Sequence, residues 1–147
     1  MDMEITYLGN SSFKIKGKNA IVTADSNITI ENTVTNTKKV LDGPGEYEVA
    51  GVSVIGIKSE KTCSYVIEME TLRLLYGYAD SKETGSIDVA FVPSSVDVKQ
   101  VNASIVIPFG GEMKDQGLRV ENLPKLNIKE GDITSDEKHI VILEKKQ

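Results

Sequence analysis

The stretch MEITYLGNSSFKI, residues 3–15, decides the fold class because it contains two short strands and the turn between them. In residues 12–16, the apolar Phe13 and Ile15 alternate with polar residues. This period of two is typical of a strand with one buried and one solvent-facing side. Residues 4–8 supply the partner strand, so the chain is expected to begin with β-structure.

Outward from this pair, the pattern predicts further short strands separated by Gly and Asx turns. They cover residues 20–24, 27–34, 47–50, 52–57, 63–70, 72–77, 87–93, 104–108 and 139–144. The polar residues of segment 27–34 predict an edge strand. The continuous apolar runs 87–93 and 104–108 predict strands buried on both faces.

Helix is hard to place, because no segment has a sustained 3.6-residue period. Residues 96–101 have room for one or two helical turns, and Pro124 interrupts residues 121–126. Many short strands with few helices predict a mainly β fold, a reduced α+β architecture built as a two-sheet β-sandwich. We expect a single domain over residues 1–147.

Composition argues against several kinds of partner. The net charge of −5 argues against nucleic acid, since that binding depends on Lys and Arg neutralising phosphates. No apolar run approaches the about 18 residues of a membrane span, so no membrane partner is expected. The single cysteine, Cys63, and the lack of an apolar leader indicate a cytoplasmic location.

Three stretches together resemble a small subgroup of the metallo-β-lactamase-fold hydrolases. They are MEITYLGNSSFKI at residues 3–15, DGPGEYEVAGVSVIGI at residues 42–57 and IVIP at residues 105–108. The resemblance extends over most of the chain, with deletions. It implies two facing mixed sheets with helices on their outer faces, and zinc ligands on loops at one edge of the sandwich.

The positions that correspond to the zinc ligands carry other residues. Asn10 stands where the subgroup has His after Gly, and residues 27–39 contain nothing like the family's His-x-His-x-Asp-His motif. Gly110 belongs to the segment that replaces the last histidine. Asp25 retains a carboxylate shifted by one residue, and Asp80 lies one residue after the position of the bridging carboxylate.

A catalytic zinc site needs about three protein ligands and one open position for water. The only histidine, His139, lies in the last predicted strand, away from every ligand position. The resemblance therefore implies no catalytic residues, no metal ligands and no cofactor; zinc is expected only if the hydrolase alternative is right. What remains is a groove that we predict to be formed by Asn10, Asp25, Asp80 and Gly110.

We therefore predict a degenerate, non-catalytic protein that acts as a binding or assembly module. Two alternatives stay open: a metal-dependent hydrolase with an atypical site, and a metal-free protein that binds an unknown small molecule. The outer helices of the family are missing, so uncovered sheet faces predict a homo-oligomer, with a dimer favoured. We expect Cys63 to be a buried, inert thiol and His139 to be structural or solvent-facing.

Overall fold

The computed structural model describes residues 3–59, 62–79, 81–129 and 138–145, in which two β-sheets face each other. The strands are β1 (Met3–Gly9), β2 (Ser12–Lys16), β3 (Ala20–Ala24), β4 (Ile28–Asn32), β5 (Thr37–Leu41), β6 (Gly45–Val49), β7 (Val52–Ser59), β8 (Thr62–Met69), β9 (Leu72–Tyr76), β10 (Ile87–Pro93), β11 (Ala103–Phe109), β12 (Val120–Leu123), β13 (Leu126–Ile128) and β14 (His139–Leu143). Strands make up 61% of the described residues and helices 5%, so the prediction of a mainly β, two-sheet fold is confirmed.

Sheet A contains, among the described strands, the order β13-β1-β2-β3-β4-β5, and every pairing in it is antiparallel. Its first hairpin turns through Asn10 and Ser11, whose φ angles are +51° and +62°. A two-residue hairpin loop needs positive φ at both positions to match the twist of its strands, and Asn tolerates this conformation well. Local turn chemistry therefore sets the register of β1 on β2.

Sheet B has the order β12-β14-β11-β10-β9-β8-β7-β6 in the described part of the chain. Its strands from β6 to β9 pair antiparallel, whereas those from β9 to β12 pair parallel. The central strand β10 is buried on both faces, with Val89 and Phe91 facing sheet A and Ala90 and Val92 facing outward. The prediction from the apolar run 87–93 is confirmed.

The core lies between the two sheets and consists of the alternate, inward-facing residues of their strands. Fully buried members include Ile5, Ile15, Val22 and Ile30 from sheet A and Val54, Ile67, Leu74 and Val89 from sheet B. Burying a side chain of this size stabilises the fold by about 1.5–3 kcal/mol relative to leaving it exposed. These contacts hold the sheets together and fix the loops at their ends.

The prediction that segment 27–34 forms an edge strand is wrong. Residues 37–41 form β5, which pairs with β4 from Ile28 opposite Leu41 to Asn32 opposite Thr37. The polar Thr29 and Glu31 alternate with the fully buried Ile28 and Ile30, so they lie on the outer face of the sheet. Their polarity reflects a solvent-facing side and not a sheet edge.

The expectation that missing helices leave the sheet faces uncovered is also wrong for the centre of sheet B. Its outer face forms a second apolar cluster in which Val98 and Val101 are buried, with Met113 and Leu118 packed against it. Lys138 Nζ fixes this cover by donating to the carbonyl oxygens of Val98 and Val101. Connecting segments thus cover this part of sheet B, and the dimer stays a prediction.

Helical structure in the described ranges is limited to α1 (Ser81–Thr84) and a 3-10 turn at Val98–Gln100. The 3-10 turn falls within the predicted segment 96–101 and begins where Asp97 Oδ1 accepts from Lys99 N at 3.0 Å. No helix in the described part of the chain has the length and apolar character to cross a membrane.

Candidate functional site

A groove with a volume of about 910 Å³ opens at one end of the sandwich, and we call it the end groove. Its walls are the loops that follow β1, β3 and β5, the adjoining ends of β7 and β8, and the carboxyl ends of β9, β10 and β11. The lining residues are Asn10, Ser11, Asp25, Ser26, Asn27, Asp42, Pro44, Lys58, Thr62, Cys63, Ser64, Tyr76, Gly77, Tyr78, Pro93 and Phe109. Crevices at the carboxyl ends of parallel strands are where open α/β sheets bind ligands.

Aromatic rings form the floor of the end groove. The rings of Tyr76 and Phe109 lie 5.2 Å apart with an interplanar angle of 2°, and both residues line the groove. Beneath them, the Phe13 ring lies 4.7 Å from Phe91 and 4.9 Å from Tyr7. These five account for all three Phe and two of the five Tyr in the chain, so a sparse residue type is concentrated here.

The Tyr76 hydroxyl ties this floor to the first hairpin. It donates to the carbonyl oxygen of Ser11, while Ser11 N donates to the Tyr7 hydroxyl at 3.4 Å. Burial, together with the nearby negative charge of Asp25 and the Tyr7 hydroxyl, raises the pKa of Tyr76 to about 12. Tyr76 is therefore a neutral hydrogen-bond donor at neutral pH and is unsuited to act as a base.

Two carboxylates of the groove are held by the same asparagine. Asp25 is half-buried, and its Oδ1 accepts from Asn27 N at 2.9 Å in a tight Asx turn. The side chain of Asn27, with its amide nitrogen facing Asp42, also donates to Asp42 Oδ1 at 2.9 Å. Asn27 thus links the loop after β3 to the loop after β5.

The loop after β5 is anchored from below by Tyr65, whose side chain is fully buried. Gly43 N donates to the Tyr65 hydroxyl at 3.1 Å. Burial raises the pKa of Tyr65, and the nearby Cys63 and Asp42 add to the effect. This tyrosine keeps its proton and has a structural part in the groove wall.

Among the described residues, neither Cys63 nor Ser64 is placed with the base that a catalytic nucleophile needs. Cys63 is half-buried and lines the groove, so the expectation of a buried thiol is wrong. Ser64 is 2% exposed, and its Oγ donates to the Tyr78 carbonyl oxygen at 3.0 Å. His139 pairs with Ile105, which lies four residues before the groove residue Phe109. At about 3.3 Å per residue, His139 is therefore about 13 Å from the groove along the sheet.

The structure brings together two of the four residues predicted for the groove. Asn10 and Asp25 line it, whereas Gly110 follows the lining residue Phe109 and is itself outside the lining set. Asp80 lies outside the described residues. Their binding role stays a prediction.

The comparison with solved structures shows the fold. A candidate Zn-dependent hydrolase of the metallo-β-lactamase superfamily from Thermotoga maritima, solved at 2.00 Å, superposes with a TM-score of 0.72. The match covers 96% of this chain and 98% of that one at 19% identity. The chain has the metallo-β-lactamase fold.

The match to the Thermotoga maritima structure confirms the resemblance drawn from the three sequence stretches. A metallo hydrolase from Ignicoccus hospitalis, Igni18, matches 74% of the chain and 82% of its own length at 12% identity, with a TM-score of 0.47. At that TM-score the second likeness adds nothing to the first. No protein-family model matches the chain, and no curated protein matches it either.

Zinc is the metal that the metallo-β-lactamase fold implies, and the described residues do not fit it. The groove offers Asp25, Asp42 and Cys63 as donor types suited to zinc. In the described part of the chain, however, no three His, Cys, Asp or Glu side chains are grouped to hold one ion. Both carboxylates instead accept hydrogen bonds from Asn27.

Proposed function

We propose that this protein is a non-catalytic binding module with the metallo-β-lactamase fold, which holds a small organic molecule in the end groove without a metal. One observation carries the proposal: the groove combines an aromatic floor with carboxylates that Asn27 fixes in place. Its volume of about 910 Å³ falls in the range of about 300–1,000 Å³ that is usual for small-molecule pockets.

The lining favours a planar ligand that carries a positive charge. Asp25 and Asp42 offer negative charge, and carboxylates form strong charge-assisted hydrogen bonds with ammonium and amidine groups. Tyr78 and Phe109 both belong to the lining, and aromatic side chains of this kind attract rings and cations. Among the described lining residues, Lys58 is the one lysine and is exposed, so two carboxylates face a single lysine there.

Three probes with the same ring test the charge preference directly. Tyramine is a cation, 4-methylphenol is uncharged and 4-hydroxyphenylacetate is an anion at neutral pH. A ligand that binds only the folded state raises the melting temperature. With EDTA present throughout, we expect tyramine to raise the melting temperature most and 4-hydroxyphenylacetate least.

The double variant Asp25→Asn/Asp42→Asn removes the charge while the Asn oxygen still accepts from Asn27 N. We expect it to lose the preference for tyramine. The matched control is Asp97→Asn/Asp115→Asn. Each of these carboxylates accepts a hydrogen bond from the backbone N–H two residues later, at 3.0 Å and 2.9 Å, as Asp25 does. Neither residue lines the groove. An equal response to all three probes, or a tyramine shift that survives the groove substitutions, contradicts the cationic ligand; binding that requires zinc contradicts the metal-free module.

A further inference from the structure

Two edge strands lie on the same side of the sandwich. Among the described strands, β5 is the last of sheet A and β6 is the last of sheet B. Only residues 42–44 separate them along the chain, which keeps the two edges close together. Each edge presents a row of backbone N–H and C=O groups that no described strand pairs, and such rows can accept a further strand.

The two edges carry opposite charge. Strand β5 has Lys38 and Lys39 and no acidic residue, while β6 has Glu46 and Glu48 and no basic residue. All four side chains are exposed. Lys38 is 69% exposed and approaches a carboxylate only at 4.0 Å, so its charge is available to another partner.

This charge pattern selects among the ways in which edges can pair. Pairing of β5 with β5, or of β6 with β6, places like charges opposite each other, which is destabilising. Pairing of β5 with β6 of another copy brings Lys38 beside a glutamate, because Lys38, Glu46 and Glu48 lie on the outer faces of their sheets, whereas Lys39 lies on the inner face opposite Ile30. The charges therefore disfavour association through identical edges and favour association through unlike ones.

We propose that two copies of this chain form a two-fold dimer in which β5 of each copy pairs with β6 of the other. Both edges face the same side, so a single two-fold axis forms the two seams at once and closes the assembly. Each sheet A then continues into the partner's sheet B. The dimer is independent of any ligand in the end groove.

Strand direction is consistent with this arrangement. Strand β5 runs toward the end groove, because Asp42 follows Leu41 directly and lines the groove; β6 begins after Pro44, also in the lining, and runs away from it. A two-fold axis parallel to the strands brings the partner's sheet B into line with sheet A and keeps the direction of each strand, so β5 and the partner's β6 meet antiparallel, as β6 and β7 do within sheet B. The seam also covers Val40, which is 58% exposed on the outer face of β5.

Charge reversal on each edge tests the proposal. Sedimentation velocity over a concentration series of the full chain should show a dimer that weakens with added salt. The variants Lys38→Glu/Lys39→Glu and Glu46→Lys/Glu48→Lys each place like charges in both seams. We expect each to raise the dissociation constant about tenfold, because the contact between Lys38 and glutamate changes from attraction to repulsion in both seams at once.

Mixing the two variants should restore association, since both seams of the mixed dimer again bring opposite charges together. The quadruple variant, which keeps the net charge of −5, should restore it as well. Lys99→Glu/Lys114→Glu is the matched control, with the same charge change on exposed residues of the connecting segments. A monomer at every concentration, a loss no larger than in the control, or no recovery on mixing folded variants overturns the proposal.

Discussion

Tyr76→Phe removes the hydroxyl that connects the aromatic floor to the first hairpin. The ring is 7% exposed and keeps its contacts with Phe13, Phe91 and Phe109 in the variant. What is lost is the donor to the carbonyl oxygen of Ser11, a half-buried residue of the turn. The substitution therefore isolates one hydrogen bond without opening a large cavity.

The expected cost follows from that bond. A net intramolecular hydrogen bond is worth about 0.5–1.5 kcal/mol, and an acceptor left without its donor adds to the loss. Because Ser11 is only half-buried, water can partly replace the hydroxyl. We expect the free energy of unfolding to fall by about 1–2 kcal/mol at neutral pH.

The contribution of Tyr76 to the free energy of unfolding should also depend on pH in the alkaline range. The pKa of Tyr76 is about 12 in the folded protein against 10.0 ordinarily. The raised value means that its stabilisation is fully present below pH 10 and is lost as the pH rises through 12. Two pKa units correspond to about 3 kcal/mol, so the advantage of wild type over Tyr76→Phe should vanish between about pH 11 and 12.

The assay is urea unfolding at pH 7 and at steps from pH 9 to 12. It is followed by circular dichroism, since the chain has no Trp. Tyr78→Phe is the control, because that side chain is 38% exposed and its hydroxyl bonds Gln100 Oε1 at 3.2 Å on the surface. Equal losses in both variants, or a Tyr76 effect that does not change with pH, would refute the reasoning.

Three further substitutions test the hairpin, the groove wall and the core by the same unfolding assay. Asn10→Gly should change stability by less than about 0.5 kcal/mol, whereas Asn10→Ala should cost about 1 kcal/mol because φ is +51° there; the reverse order contradicts the turn assignment. Gly77→Ala should cost about 2 kcal/mol or more, since φ is +99° and the new Cβ would lie 2.6 Å from Ser64 Oγ; a neutral result contradicts that contact. Leu74→Ala should cost about 2–5 kcal/mol because Leu74 is fully buried between the sheets, and a loss below 1 kcal/mol would place it outside the core.

Strands with one buried face, and tight hairpins, could be predicted from the sequence because both are local properties. The alternation of Phe13 and Ile15 identifies β2, and the turns at Gly51 and Thr71 separate strands that pair as expected. Strand β5 could not be predicted in this way. Four of its five residues are exposed, so it has no apolar alternation to detect, and the sequence pattern therefore predicts the sheet edge at β4.

The covered face of sheet B and the strands β12 and β13 were also beyond sequence reasoning. The cover consists of irregular segments that contribute single side chains such as Val98, Met113 and Leu118, which have no period. Pro124 separates β12 from β13, and each of these short strands joins a different sheet. Strands of three or four residues carry too little pattern to assign.

In the candidate site, Asn10 and Asp25 were predicted because the resemblance fixes their positions along the chain. Asp42, Cys63 and Tyr76 were missed, since their convergence depends on how the two sheets pack. One signal was present: Asp42 directly precedes the Gly-Pro-Gly turn that carries part of the resemblance. The concentration of scarce aromatic residues around one end of the sandwich becomes visible only in three dimensions.

The most direct test of the metal-free binding module is elemental analysis of protein purified without a metal-affinity tag. The measurement is repeated after incubation with zinc and with manganese, followed by removal of unbound metal. The account predicts metal at background level per chain, with the tyramine-induced rise in melting temperature unchanged by EDTA. Near one zinc or manganese per chain, removed by EDTA together with ligand binding, would contradict it.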